Sequence, residues 1–176
     1  MKLLLDLPSA LPLAADEFIA VPEIEGVRME LWEGNLLLSA LAQMAWHSMV
    51  AARIETWVRG RHPDAARGVG VVVAAHSVLV PDVTVFHEPL IDLRRSQFPA
   101  EDVQCVVEVV SPESTKRDRV TKPLMYAAAG IPEFWLVEEH PDVPSDALVQ
   151  QHRLTPTADA YTVVRTIRLS DLEESQ

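Results

Sequence analysis

Two acidic residues lie where a folded protein rarely leaves a charge without a partner. Glu108 interrupts the apolar run at residues 106–110, and Asp82 follows Pro81 between two β-branched runs. Burying an ionised carboxylate is costly unless it pairs with a cation or coordinates a metal. Two carboxylates on neighbouring strands also repel each other, and Mg²⁺ or Mn²⁺ would relieve that repulsion by taking oxygen ligands. The pattern therefore predicts a divalent-metal site formed by Asp82 and Glu108.

Each of these residues also has a structural explanation. A Pro-Asp pair is common in turns, where the aspartate side chain bonds to the backbone. A glutamate in a buried strand can take part in a structural salt bridge instead of a functional site. The position of Glu108 in the middle of a valine run favours a functional role. Asp82 by itself would be interpreted as a turn residue, and it becomes a candidate only because Glu108 is present.

The surrounding sequence predicts the elements that would position both side chains. β-branched runs predict strands at residues 69–75, 78–80 with 83–86, 105–110 and 133–137. Turn residues predict two hairpins, at 27–32 with 36–39 and at 147–154 with 161–167, the second around a turn at 155–160. Helical spacing predicts helices at 14–20, at 43–59 and from the charged stretch 116–119 to Gly130. We expect an α/β fold with a central mixed sheet flanked by helices, in one domain over residues 1–176.

The composition excludes some classes of protein. Fifteen Lys and Arg against 26 Asp and Glu give a formal net charge of -11, which argues against a general nucleic-acid coat protein. Any contact with nucleic acid must then rely on local basic patches, for which the candidates are Arg94, Arg95, Lys116, Arg117 and Arg119. The single cysteine, Cys105, allows no disulfide within the chain and suits the reducing cytoplasm. No apolar run approaches the length that spans a membrane.

Several segments resemble the Uma-type family, a bacterial family usually described as "putative restriction endonucleases". The strongest matches are VEVVSP at 107–112, DRVTK at 118–122, YAAAGIP at 126–132 and FWLV at 134–137. Its N-terminal signature is matched in part by Glu30-Leu31 and by Glu33-Gly34-Asn35, with His47 beginning the next helix. The resemblance covers about residues 14–164, and the expected core is about 14–167.

The resemblance implies a restriction endonuclease-like core of the PD-(D/E)XK nuclease superfamily. In that superfamily an aspartate and a second acidic residue bind the metal, and a lysine two positions later orients or activates the attacking water. Here Val110 occupies the lysine position, so Lys122 on the following helix is the candidate. Asn35 stands where a glutamate is usual and Gln104 where an aspartate often precedes the strand. The resemblance therefore implies Asp82, Glu108 and Lys122 as catalytic residues, with Glu30 as a further acidic contributor.

The remaining candidates each have a structural explanation as well as a functional one. His47 either contributes to the site or caps its helix, and Tyr126 and Trp135 are expected to be packing residues with polar tips, although Tyr126 shares a helix face with Lys122. Asp118 is expected either to cap the helix that carries Lys122, which is the preferred prediction, or to orient the site.

Two functions follow from these expectations. The first is a Mg²⁺-dependent endonuclease that hydrolyses phosphodiester bonds of DNA, and a two-fold homodimer would suit cleavage of both strands. The second is a catalytically inactive nuclease-fold domain, in which the same residues form a salt-bridge network and the protein acts by binding a partner or by dimerising. An unrelated metal hydrolase lacks support because no His or Cys pair has ligand spacing.

Overall fold

The computed structural model describes residues 7, 10–40, 44–90, 92, 94–155 and 160–175. Its α-helices are α1 (Ala15–Phe18), α2 (Ala45–Arg59), α3 (Lys122–Ala128) and α4 (Leu169–Glu174). Its strands are β1 (Val27–Trp32), β2 (Asn35–Ala40), β3 (Gly70–Ala74), β4 (Ser77–Leu79), β5 (Val83–Phe86), β6 (Gln97–Pro99), β7 (Val103–Val109), β8 (Glu133–Glu139), β9 (Ala147–Thr155) and β10 (Ala160–Arg168). A 3₁₀ turn at Ala100–Asp102 precedes β7, and a π-helical turn at Arg117–Thr121 leads directly into α3.

The strands form two five-stranded mixed sheets. The first sheet has the order β2-β1-β4-β3-β6, in which only β3 and β6 run parallel. The second has the order β10-β9-β8-β7-β5, in which only β7 and β8 run parallel. The predicted mixed α/β class with flanking helices is confirmed, and its strands are divided between two sheets instead of forming one. The division falls at Pro81-Asp82, because β4 belongs to the first sheet and β5 to the second.

The predicted strands and helices correspond to observed elements within a few residues at each end. Three short elements, β6, the 3₁₀ turn at Ala100–Asp102 and α4, were not predicted. The predicted helix start at Gln43 and residues 156–159 of the predicted terminal turn lie outside the described residues. In the part of the chain that the structure describes, no helix has the length and apolarity needed to cross a membrane.

A tight turn fixes the hairpin of β1 and β2. Glu33 and Gly34 both have positive φ, 48° and 81°, which is the geometry of a two-residue hairpin turn that matches the twist of the strands. A Cβ on Gly34 would lie 2.3 Å from Cβ of Pro12, so this position needs glycine both for its φ and for the close approach of the N-terminal segment. The turn sets the register of β1, and therefore the face on which Arg28 and Glu30 lie.

Alternation along β7 explains why Glu108 points toward the site. Val107 and Val109 face the core cluster that contains α2 and α4, whereas Val106 faces the cluster that contains Tyr126 of α3 and residues of the first sheet. Side chains two residues apart share a face of a strand, so Glu108 lies on the same face as Val106. The glutamate is therefore directed between the second sheet and α3.

The spacing of buried residues along α2 determines where His47 lies. The buried residues of α2 follow the spacing of one helix face: His47, Val50, Ala51, Ile54 and Val58. His47 is thus part of the buried face that packs on the second sheet.

Candidate active site

One polar cleft of about 350 Å³ contains the four predicted catalytic residues, Glu30, Asp82, Glu108 and Lys122. It lies where β1, the entry to β5, the end of β7 and the π-helical turn meet. Its charged and titratable lining residues are Arg28, Glu30, His47, Asp82, Glu108, Glu113, Arg117, Asp118 and Lys122. With five carboxylates against three permanent cations, the lining is acidic.

Asp82 is fixed by both sheets and by α2. Its backbone N–H donates to Val107 O at 3.0 Å, and its Oδ2 accepts the N–H of Val109 at 2.8 Å, so it is anchored twice to β7. Nη2 of Arg28, on β1, donates to Oδ1 at 2.8 Å, and Nε2 of His47 lies 3.3 Å from Oδ2. A carboxylate only accepts hydrogen bonds, so the proton of this contact is on Nε2 of His47. All these donors stabilise the ionised form of a side chain that is 2% exposed.

Glu108 and Lys122 form the second centre of the cleft. Nζ of Lys122, at the first position of α3, lies 2.9 Å from Oε1 of Glu108. The same oxygen accepts a 2.6 Å hydrogen bond from the hydroxyl of Tyr126. All three side chains are buried. Because Lys122 and Tyr126 are four residues apart, one face of α3 supplies both donors to Glu108.

Glu30 joins this centre from the first sheet. Its Oε1 lies 3.1 Å from Nζ of Lys122 and accepts the N–H of Val80 at 2.8 Å. Its Oε2 accepts the indole N–H of Trp32 at 3.3 Å. The predicted grouping of Glu30 with Glu108 and Lys122 is therefore observed in the structure, while the role of each residue in catalysis stays a prediction.

The preferred prediction for Asp118, a helix cap, is wrong, and the alternative that it orients the site stays a prediction. No side-chain hydrogen bond caps the π-helical turn or α3, and Asp118 lies inside the π-helical turn. Its Oδ1 lies 3.6 Å from Nζ of Lys122, four residues along the chain. The turn continues into α3 without a break, so there are no orphan N–H groups at Asp118 for a cap to satisfy.

Burial and local charge shift the pKa values of these groups in opposite directions. Burial by itself would raise the pKa of Asp82, but the His47 hydrogen bond, the Arg28 charge and the Val109 amide hold that pKa well below its ordinary value. Burial raises the pKa of Glu108 to about 8, against the opposing effect of Lys122. Burial by itself would lower the pKa of Lys122. The negative charges of Glu108, Glu30 and Asp118 outweigh that effect and raise the pKa above its ordinary value, so the ammonium group stays protonated.

The sequence as a whole matches a family model. That model is named Uma2, is described as "Putative restriction endonuclease" and covers residues 15–175. The chain belongs to the Uma2 family. The match confirms the resemblance that the motifs around Glu108 and Lys122 indicated.

A solved structure shows the same fold as this Uma2 chain. It is the crystal structure of a "putative nuclease belonging to DUF820" from Anabaena variabilis, similar with a TM-score of 0.62 and 19% sequence identity. The similarity covers 89% of the Uma2 chain and 84% of the other chain. At this identity the likeness shows the fold, which is restriction endonuclease-like. No curated protein matches the sequence.

The donor set of the Uma2 site fits a hard divalent cation held by few protein ligands. Among the described residues, no three His, Cys, Asp or Glu side chains are grouped so that they could hold a metal ion. Mg²⁺, however, is usually bound by one or two carboxylates, with waters and substrate phosphates as the other ligands. Asp82 and Glu108, the pair predicted from the sequence, are the carboxylates that would hold such an ion. Each already accepts hydrogen bonds within the protein, so an ion would share these oxygens with Arg28 and Lys122.

Two participants of the Uma2 site were missed or undervalued by sequence reasoning. The sequence motifs do not single out Arg28, although its place two residues before Glu30 on a predicted strand puts both on one face. Tyr126 was expected to be a packing residue, and its hydroxyl in fact contacts Glu108. Trp135 is a packing residue, as expected, with its ring 5.7 Å from that of Trp57.

Proposed function

We propose that this protein is a Mg²⁺- or Mn²⁺-dependent endonuclease that hydrolyses phosphodiester bonds of DNA. The observation that carries the proposal is that Asp82, Glu108 and Lys122 line one cleft of a nuclease-like fold. Membership in the Uma2 family supports nuclease chemistry. The family model spans the elements that supply all three side chains.

Asp82 and Glu108 would hold the metal ion, which when bound polarises the phosphate and lowers the pKa of a coordinated water. Lys122 keeps its proton and presents Nζ beside Glu108, where it donates to the attacking water or to a phosphate oxygen that gains charge in the transition state. His47 and Val109 hold Asp82 in one orientation, and Tyr126 does the same for Glu108. Glu30 and Asp118 position Lys122.

The experiment that tests this function measures cleavage of supercoiled plasmid in Mg²⁺, Mn²⁺ or EDTA. We expect cleavage only with a divalent ion, and loss of activity by about 100-fold or more in Asp82→Asn and Glu108→Gln. Glu133→Gln is the matched control. Glu133 is the first residue of β8, lies outside the cleft and pairs with Arg153 at 3.4 Å. Cleavage that persists in both site variants contradicts the assignment.

One observation favours the alternative of a nuclease-derived domain without turnover. The four buried carboxylates of the cleft, Glu30, Asp82, Glu108 and Asp118, all have a cationic partner within the protein. Such a network has a structural use without a metal, in a protein that acts by binding a partner or by dimerising. Titration calorimetry with Mn²⁺ separates the two functions, because a saturable isotherm that is lost in Glu108→Gln supports the nuclease and excludes the purely structural network.

The proposal includes a two-fold homodimer acting in the cytoplasm. One cleft cleaves one strand at a time, so two clefts related by a two-fold axis would suit the cutting of a duplex at a single position. The buried, unpaired Cys105 is compatible with a reducing compartment. The mass in solution, measured by light scattering with and without duplex DNA, tests the dimer; a monomer in both states contradicts it.

A further inference from the structure

The three cations of the cleft differ in what they contact. Arg28 pairs with Asp82, and Lys122 pairs with three carboxylates. Arg117 lines the same cleft, but its guanidinium has no ion pair or hydrogen bond to any described residue. Its Nε is buried without a partner.

An arginine in this state is suited to an anion that comes from outside the protein. Leaving a buried N–H without a partner costs free energy, and such a group usually bonds to a water molecule, an ion or a ligand. The guanidinium fork matches phosphate oxygens in a bidentate manner. Because Arg117 is held half-buried by the π-helical turn, it is already positioned at the cleft before an anion binds.

The neighbouring basic residues do not share this position. Arg119 is exposed and pairs with Glu138 across to β8, and Lys116 is exposed and outside the cleft lining. Of the charged stretch at 116–119, only Arg117 combines access to the cleft with an uncommitted guanidinium. The other two described cations of the cleft are paired with carboxylates. Arg117 is therefore the one whose charge is available to attract a polyanion.

We infer that Arg117 binds a backbone phosphate of the nucleic acid next to the site of cleavage. The inference rests on the proposed function and adds a substrate-binding residue to it. Arg117 recognises the phosphodiester group and no particular base, so it contributes affinity and register along the strand.

The test measures binding separately from cleavage. Fluorescence anisotropy of a labelled DNA duplex is recorded in EDTA and in Ca²⁺ at several salt concentrations, for the native protein and for Arg117→Ala, Arg117→Lys and Arg119→Ala. Arg117→Ala is expected to weaken binding about tenfold and to reduce the slope of log K against log salt by about 0.9, the value for one phosphate contact. Arg117→Lys should keep the native slope, because its charge is retained, with weaker affinity. Arg119→Ala should change neither quantity.

The melting temperature of Arg117→Ala should be no lower than that of the native protein, because Arg117 stabilises no described partner. Native affinity and slope in Arg117→Ala would overturn the inference, and if the native protein still cleaves plasmid, the proposed function stands. Equal losses in Arg117→Ala and Arg119→Ala would also overturn it, by showing general charge attraction. If the native protein binds duplex neither in EDTA nor in Ca²⁺ and cleaves none, the inference and the proposed function both fail.

Discussion

Arg28 Nη2 and Asp82 Oδ1 are 2.8 Å apart, and this contact joins the first sheet to the second at the edge of the cleft. The two residues are 54 positions apart in sequence. The guanidinium stabilises the Asp82 carboxylate, yet it lies on one of the two oxygens that the proposed metal would use. Arginine and metal ion therefore compete for the same charge.

Arg28→Met removes this competitor while keeping a long side chain in its place. We expect the affinity for Mn²⁺ to rise roughly tenfold, about 1.4 kcal/mol, because a neighbouring positive charge no longer repels the ion. Titration calorimetry measures the change, and Arg119→Met serves as the control with a cation removed outside the cleft. Unchanged or weaker Mn²⁺ binding in Arg28→Met would show that Arg28 does not oppose the ion.

Metal binding should depend on pH through Glu108. Its pKa is raised to about 8, so at neutral pH the metal must displace a proton, whereas the lowered pKa of Asp82 keeps that carboxylate ionised throughout. The apparent affinity for Mn²⁺ should rise about tenfold for each pH unit below about 8 and level off above it. Calorimetry between pH 6 and pH 9 measures this dependence. A flat profile would mean that Lys122 keeps Glu108 ionised over the whole range.

Tyr126→Phe should weaken the fold through one hydrogen bond. The Tyr126 hydroxyl donates to a buried carboxylate at 2.6 Å, whereas the Tyr161 hydroxyl donates to the neutral carbonyl of Ile131 at 2.7 Å. A hydrogen bond to a charged group is worth about 1.5–3 kcal/mol and a neutral one about 1 kcal/mol. Urea unfolding at pH 9, where Glu108 is ionised, should therefore show a larger loss of unfolding free energy for Tyr126→Phe than for Tyr161→Phe. Equal losses would indicate that Glu108 stays protonated even at pH 9.

The parts of the site that the sequence predicted are those set by local periodicity. The valine run places Glu108 in a buried strand, and the spacing of four residues puts Lys122 and Tyr126 on one helix face. The pairing of Arg28 with Asp82 depends on where the chain passes between sheets, which no local pattern encodes. The family motifs supplied Lys122 as a candidate.

Local patterns also explain why β6 was not predicted and why the cap prediction for Asp118 is wrong. β6 has three residues and borders the first sheet through a parallel pairing with β3, so neither its length nor its pattern separates it from a loop. Asp118 was expected to cap because an aspartate before a helix usually does so. The π-helical turn, which begins one residue before Asp118, removes the free N–H groups that a cap needs.

Gly34→Ala tests how far the β1–β2 turn determines the site. Gly34 and Gly26 both have positive φ, but an added Cβ meets Pro12 at 2.3 Å only at Gly34, and nothing within 4 Å at Gly26. Both alanine variants bear the cost of the left-handed conformation, about 1–2 kcal/mol. Gly34→Ala should lose at least about 1 kcal/mol more in unfolding free energy, because overpacking adds to it. Similar losses in thermal or urea unfolding would show that the N-terminal segment moves away at little cost.

Lys122 holds three carboxylates, and a double-mutant cycle with Glu108 measures that coupling. Lys122→Met leaves Glu30, Glu108 and Asp118 without their common cation, and breaking a buried pair in this way costs about 3–5 kcal/mol. Glu108→Gln removes one of the carboxylates left without a cation. The loss of unfolding free energy in the double variant should therefore be smaller than the sum of the two single losses by about 1–3 kcal/mol. Urea unfolding of the native protein, both single variants and the double variant at pH 9, where Glu108 is ionised, gives the coupling. Strictly additive losses would mean that Lys122 interacts mainly with Glu30 and Asp118, and Glu108 would then be free to serve the proposed metal without weakening the position of the lysine.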